Sequence, residues 1–185
     1  MFKVGDKIVY PMHGAGVIET IEERAVLNEK QAYYIIKMPG EVKVMVPTAK
    51  AEEIGVRNII DKETAGKVIN ILGQDCTEMS NKWNQRYKDN VEKMKSGNVF
   101  EVADIVRNLS VKQKDKGLST TEKKMLINAK QILVSELMLA ESKQKDEIES
   151  LIEDKINISY GLHSISNSED SNDDTDGIVK TFIQT

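Results

Sequence analysis

The pattern of apolar and polar positions along the chain changes character near residue 60. Before it, apolar residues come in short runs separated by turn residues. Val4, Ile8, Val9 and Tyr10 surround a Gly5-Asp6 turn. Pro11-Met12-His13-Gly14-Ala15-Gly16 holds one Pro and two Gly and predicts a loop. Val17, Ile18 and Ile21 resume a strand through Glu22-Glu23-Arg24. Asn28-Glu29 then predicts a hairpin turn into the strand formers of residues 32–38. After a Pro39-Gly40 turn, Val42, Val44 and Val46 alternate with Glu41, Lys43 and Met45, the period of a half-buried strand. Four or five such strands in about 60 residues predict a small β barrel of SH3 or Tudor type.

Beyond residue 60 the period is helical. Asp61 predicts a cap for a helix ending at Gly73. Ser80 or Asn81 predicts another cap, for a helix carrying Trp83, Tyr87, Val91 and Met94 to a stop at Ser96-Gly97. Asn98 opens a third, with Val99, Val102, Ile105, Val106 and Leu109 inward and Gly117 beyond its end. Ser119-Thr120-Thr121-Glu122 has the spacing of a capping box, in which hydroxyl and carboxylate each satisfy a free amide. The helix behind it places Met125, Leu126, Ala129, Ile132, Leu133 and Leu137 on one face. A last helix around Lys145–Ile156 looks short and acidic, and the polar residues 159–185 predict disorder. The expected architecture is α+β with two domains. A Tudor/SH3-like β barrel occupies 1–58, an all-α helical bundle 59–157, and a disordered acidic tail 158–185.

With 185 residues, 39% hydrophobic and 30% charged, the chain can bury a sizeable core and holds no apolar run long enough to span a membrane. The N-terminus has no signal-peptide core, so a cytoplasmic protein is expected. One cysteine, Cys76, excludes an intramolecular disulfide. It has no Cys or His at metal-ligand spacing, and with only His13 and His163 in the chain no metal or other cofactor is expected. Neither a P-loop nor a dinucleotide fingerprint occurs, and His13 reads as a turn residue, so no catalytic set is expected. The net charge of −4 argues against nucleic acid only on average. Residues 82–130 carry twelve Lys and Arg against six Asp and Glu, and the excess of acid lies after residue 130.

That basic segment contains Lys82-Trp83-Asn84-Gln85-Arg86-Tyr87-Lys88-Asp89-Asn90. On a helix Trp83, Arg86, Tyr87 and Asn90 share one side. Two arrangements fit. In one, Trp83 continues the Tyr87, Val91, Met94 stripe into the core. In the other it is an exposed wedge that unstacks bases in a minor groove, with Lys82, Arg86 and Lys88 on the flanking phosphates. Lys112, Lys114, Lys116, Lys123 and Lys124 could extend the same surface. In the β module, Arg24, Lys43 and Met45 lie on strands that could offer an edge to a partner protein.

The segments FKVGDKIVYPMHGAGVIETIEER, VMVP, KWNQRYKDNVEKMKSG and GLSTTEKKMLINAKQILVSELMLAES, in this order, resemble the CarD family of bacterial transcription regulators in its short, CdnL-type form. The likeness spans residues 1–156. It implies a Tudor-like module that binds the RNA polymerase β subunit. It also implies a helical domain that touches promoter DNA at the upstream edge of the −10 element, where a tryptophan enters the minor groove. The implied outcome is a stabler open complex, notably at ribosomal RNA promoters; preferential binding suffices for this without catalysis, and a monomer is expected. Carried over, Trp83 matches the wedge, Arg86 and Lys88 match basic positions beside it, and Lys123 and Lys124 match a basic pair. Arg24 matches a polymerase-contacting arginine. Met45 stands where relatives often have arginine, and Lys43 on the same face could supply the missing charge. Two other classes stay open: an RNA- or ribosome-associated KOW-type barrel, and a purely structural interaction protein with Trp83 buried.

Overall fold

The computed structural model describes residues 1–26 and 29–173. Five antiparallel strands come first: β1 (Lys7–Tyr10), β2 (Gly14–Val26), β3 (Glu29–Lys37), β4 (Lys43–Pro47) and β5 (Arg57–Asn58). Their order in the sheet is β4-β3-β2-β1-β5, so β4 and β5 are its edges. Ile8, Ile18, Tyr34, Ile36 and Val46 form its buried core with Met38, Ala51 and Val56. The expected Asn28 hairpin tip lies outside the described residues.

The loop expected at residues 11–16 is shorter than its glycines suggest. It turns at Pro11–His13, and Gly14 through Gly16 already pair with β1. These glycines serve close approach. A Cβ on Gly16 would lie 2.6 Å from the Lys37 carbonyl oxygen. Gly14 has φ +100°, and its Cβ would meet Ser135 Oγ at 2.6 Å.

Five helices follow: α1 (Lys62–Leu72), α2 (Trp83–Lys95), α3 (Val99–Asp115), α4 (Thr120–Glu141) and α5 (Lys145–Asp173). Asp61, Asn98 and Ser119 cap α1, α3 and α4 as their spacing predicts, the last with a complete capping box. The β module followed by helices is thus the architecture read from the pattern. One core of Val68, Leu72, Val102, Val106, Leu109, Leu133 and Leu137 joins α1, α3 and α4, and Ile148, Ile152 and Ile156 of α5 close it.

The last helix runs far past Ile156. Residues 158–173, expected to be disordered, continue α5; the expectation for 174–185 lies outside the described residues. Composition does not show this extension, whose large apolar residues Ile158, Leu162 and Ile165 are exposed. Ser159 is fully buried in line with Ile152 and Ile156, and further along the hydroxyls of Ser164 and Ser166 donate to backbone carbonyls one turn back.

The two modules are bolted together by polar contacts. Arg57 of β5 places NH1 and NH2 at 2.6 and 2.9 Å from the two carboxylate oxygens of Glu136 on α4, and donates twice to the Gly97 carbonyl. Glu136, 1% exposed, also accepts from the Ile60 amide. The Ala15 amide donates to Ser135 Oγ at 2.8 Å, and Lys7 Nζ donates to the Leu139 carbonyl.

Candidate nucleic-acid interface

Helix α2 is built unlike its neighbours. Neither Ser80 nor Asn81 caps it: its N-cap is Lys82, no side chain satisfies its first amides, and its first turn holds no acid. The other caps accept hydrogen bonds from their helices, whereas this terminus presents bare N–H groups beside a cation. Such an end favours an anion.

Trp83 opens this helix and is 42% exposed, so it does not continue a stripe into the core. Its indole stacks on Tyr87 one turn later, with centroids 5.7 Å apart and planes 14° from parallel. Its Nε1–H donates to Ser119 Oγ at 3.2 Å. The inward row of α2 is Arg86, Asn90 and Met94, with Tyr87 and Val91 half-buried beside it.

Arg86 is 8% exposed, a position that does not fit the expected phosphate contact. Its Nε and NH2 lie 2.8 and 2.7 Å from Glu122 Oε1, and NH1 donates to the carbonyls of Ser80 and Asn81. It thereby fixes the chain that leads into Lys82 and Trp83. Glu122 is 3% exposed. Burial alone would raise its carboxyl. The hydrogen bonds from Arg86 and from the amide and hydroxyl of Ser119 outweigh that, holding it below the ordinary glutamate value. The circuit is closed: Trp83 to Ser119, Ser119 to Glu122, Glu122 to Arg86, and Arg86 back to the residues before Trp83.

Lys82, Lys88, Lys123 and Lys124 are exposed. Among the described residues none of these four ammonium groups has a carboxylate within ion-pair distance. Other lysines of the basic segment differ. Lys114 pairs with Glu153 and Lys116 with Asp115, while Lys112 donates to the Gly117 carbonyl. The cations left without partners include those at the start of α2 and on the first turns of α4, where Ser119 meets Trp83.

The β module presents a different surface. Register places Ile35 opposite both Thr20 and Met45, Tyr33 opposite Glu22 and Pro47, and Arg24 opposite Gln31. Because Tyr34 and Ile36 face the core, Arg24, Lys43 and Met45 share the opposite face, at the β4 edge and on β2. Met45 is 47% exposed. Both cations already have partners on this face. Arg24 donates twice to Glu22, and Lys43 Nζ lies 2.5 Å from Glu19. The Arg24 contact, ahead of one from Thr20, lowers the Glu22 carboxyl, and Glu19 raises the Lys43 ammonium. His13 sits exposed in the β1–β2 turn, its ring 4.3 Å from that of Tyr10 and tilted by 32°.

Both halves of the chain match known domains. Residues 2–60 match the CarD-like/TRCF RID domain, and residues 67–153 match the CarD C-terminal domain. The chain belongs to the CarD family. It is 42% identical over 151 residues to YdeB of Bacillus subtilis (strain 168), a candidate transcription factor by its name. That match covers 81% of this chain and 99% of YdeB. Family and relative together make it a CarD-type transcription factor.

Two parts of this platform escaped the sequence reading. Ser119 and Glu122 read as a capping box alone, yet the same atoms hold Trp83 and Arg86 from another helix. The Trp83–Tyr87 stack was available as an i, i+4 aromatic pair. Away from this platform, Asp75, Cys76 and His163 bring a carboxylate, a thiol and an imidazole within 4.8 Å of one another. Only the unforeseen length of α5 carries His163 there.

Proposed function

We propose that this chain stabilises the promoter open complex, with the β module holding the RNA polymerase β subunit and the helical module setting Trp83 into the minor groove at the upstream edge of the −10 element. The observation that carries the reading is Trp83 itself. It is a half-exposed indole, stacked and hydrogen-bonded in a fixed orientation, at an uncapped helix start beside unpaired lysines. A preset wedge loses little entropy on insertion between base steps. Lys82, Lys88, Lys123 and Lys124 supply phosphate contacts, and Arg86 acts as a positioning residue through Ser80 and Asn81.

A bubble is a marginal state, so a protein that binds it better than duplex lengthens its life by that difference in affinity alone. Few phosphate contacts make the DNA affinity weak and salt-sensitive. The polymerase contact through Arg24, Lys43 and Met45 raises the local concentration of the wedge over the promoter. The polar contacts between the modules transmit that placement. Residence in the cytoplasm, at promoters, follows from this role.

The test is the lifetime of open complexes on a ribosomal RNA promoter. Wild-type protein lengthens it and Trp83→Ala does not. No lengthening by wild type, or equal lengthening by Trp83→Ala, refutes the proposal.

A further inference from the structure

The turn after α1 meets the distal half of α5. Asp75 and Cys76 come from the turn and His163 from the helix; their ligand atoms lie within 4.8 Å of one another. Asp75 Oδ1 accepts from the Cys76 amide at 2.7 Å and stands 3.8 Å from His163 Nδ1, and Oδ2 accepts from Ser166 Oγ at 3.0 Å. A second observation points at the same spot. Ser159, one turn before His163 on α5, is fully buried, and its hydroxyl has no nitrogen or oxygen partner; it lies against the Cys76 thiol. A buried hydroxyl whose one polar neighbour is a weakly bonding thiol is poorly satisfied, and a polar occupant beside the thiol would relieve it.

We propose that Asp75, Cys76 and His163 bind a divalent transition metal, zinc by the chemistry of the set, with a water or the Ser159 hydroxyl completing the shell. Thiolate, imidazole and carboxylate are the three protein donors zinc takes, and calcium or magnesium would not select a thiol and an imidazole. Donor atoms in a tetrahedral zinc site stand about 3.5 Å apart, so the ligands close by about an ångström on binding. On binding, the sulfur–metal bond forms as the thiol proton leaves to solvent.

The position gives the metal a purpose. Distal α5 leaves one apolar side, Ile158, Leu162 and Ile165, exposed. A metal would staple this stretch to residues 75–76, a few residues ahead of Lys82 and Trp83. The intervening Thr77 is held by Asn108 and Arg107 of α3.

Cobalt(II) titration of the reduced full-length chain tests the site, because a thiolate ligand gives cobalt a near-ultraviolet charge-transfer band. One equivalent should develop the band, zinc should displace it, and Cys76→Ser should lose it. His163→Ala should lose it or need far more cobalt; this side chain is only partly buried, so circular dichroism should match wild type. Zinc should also slow amide exchange over residues 158–166 in wild type and in neither variant. Absence of the band in wild type, or a band and affinity unchanged in His163→Ala, would overturn the proposal.

Discussion

Two Arg–Glu pairs organise this molecule, and they are built for different ends. Arg86–Glu122 lies inside the helical module with both side chains enclosed, 9% and 3% exposed. Arg57–Glu136 joins the modules and is enclosed on one side only, with its arginine 32% exposed. The first holds a loop against a helix so that one indole faces outward at a set angle. The second, with three donors on Glu136, holds the sheet and the bundle in one relative placement. A buried ion pair is weak evidence for net stability, but it constrains geometry, and here each pair constrains a different surface.

Breaking the enclosed pair should have the largest effect. Glu122→Ala leaves the Arg86 guanidinium buried without its carboxylate and should cost about 3–5 kcal/mol in denaturant unfolding. A loss under about 1 kcal/mol would show that water reaches Arg86 readily. The same pair gives a pH signature. The Glu122 carboxyl is held below its ordinary value of 4.5 in the fold. Its contribution is therefore complete above the unfolded value and is lost as pH falls through the lower folded value. The gap in stability between wild type and Glu122→Gln should narrow on acidification below that value. A gap constant with pH would mean that this carboxylate is not the linked group.

Glu136→Ala should cost less, about 2–3 kcal/mol, because Arg57 can turn its charge partly to solvent. It should weaken open-complex stabilisation while leaving the isolated contact with the β subunit in place. Trp83→Ala should cost about 1–2 kcal/mol, since the ring is half-exposed and loses one hydrogen bond and one stack. Smallest in stability, within about 0.5 kcal/mol, are Lys123→Ala and Lys124→Ala. Each should flatten the salt dependence of DNA binding by about one unit in the log–log slope. An unchanged slope in both would remove α4 from the DNA contact. On the β module, Lys43→Ala should lower affinity for the β subunit a few-fold, about 1 kcal/mol or less, because Glu19 already neutralises it. No loss at all would end the idea that Lys43 substitutes for the arginine absent at Met45.

What could be read beforehand was what is local. Asp61, Asn98 and the Ser119–Glu122 box act within one turn of themselves, so spacing alone reveals them. The Val99 to Leu109 face follows equally from one helical period. The burial of Arg86 is not legible in the sequence, because a cation on an amphipathic helix is ordinarily solvated and its partner Glu122 lies on another helix. Gly14 and Gly16 carried loop-like composition, but contacts with Ser135 and Lys37, remote in sequence, explain them. The distal half of α5 has tail-like composition, and its contacts with Asp75 are again remote in sequence. Charge marks residues 82–130 but does not say which of its cations are paired: among the described residues Arg86, Lys114 and Lys116 have carboxylate partners, and Lys82, Lys88, Lys123 and Lys124 do not.

The account rests on Trp83 entering the base stack. A fluorescent purine analogue placed at the upstream edge of the −10 element, in complexes with RNA polymerase, reports that event directly. Wild-type protein should raise its emission by unstacking it, and Trp83→Ala, folded and bound to the polymerase, should leave it at the level of polymerase alone. An equal rise with Trp83→Ala would contradict the wedge.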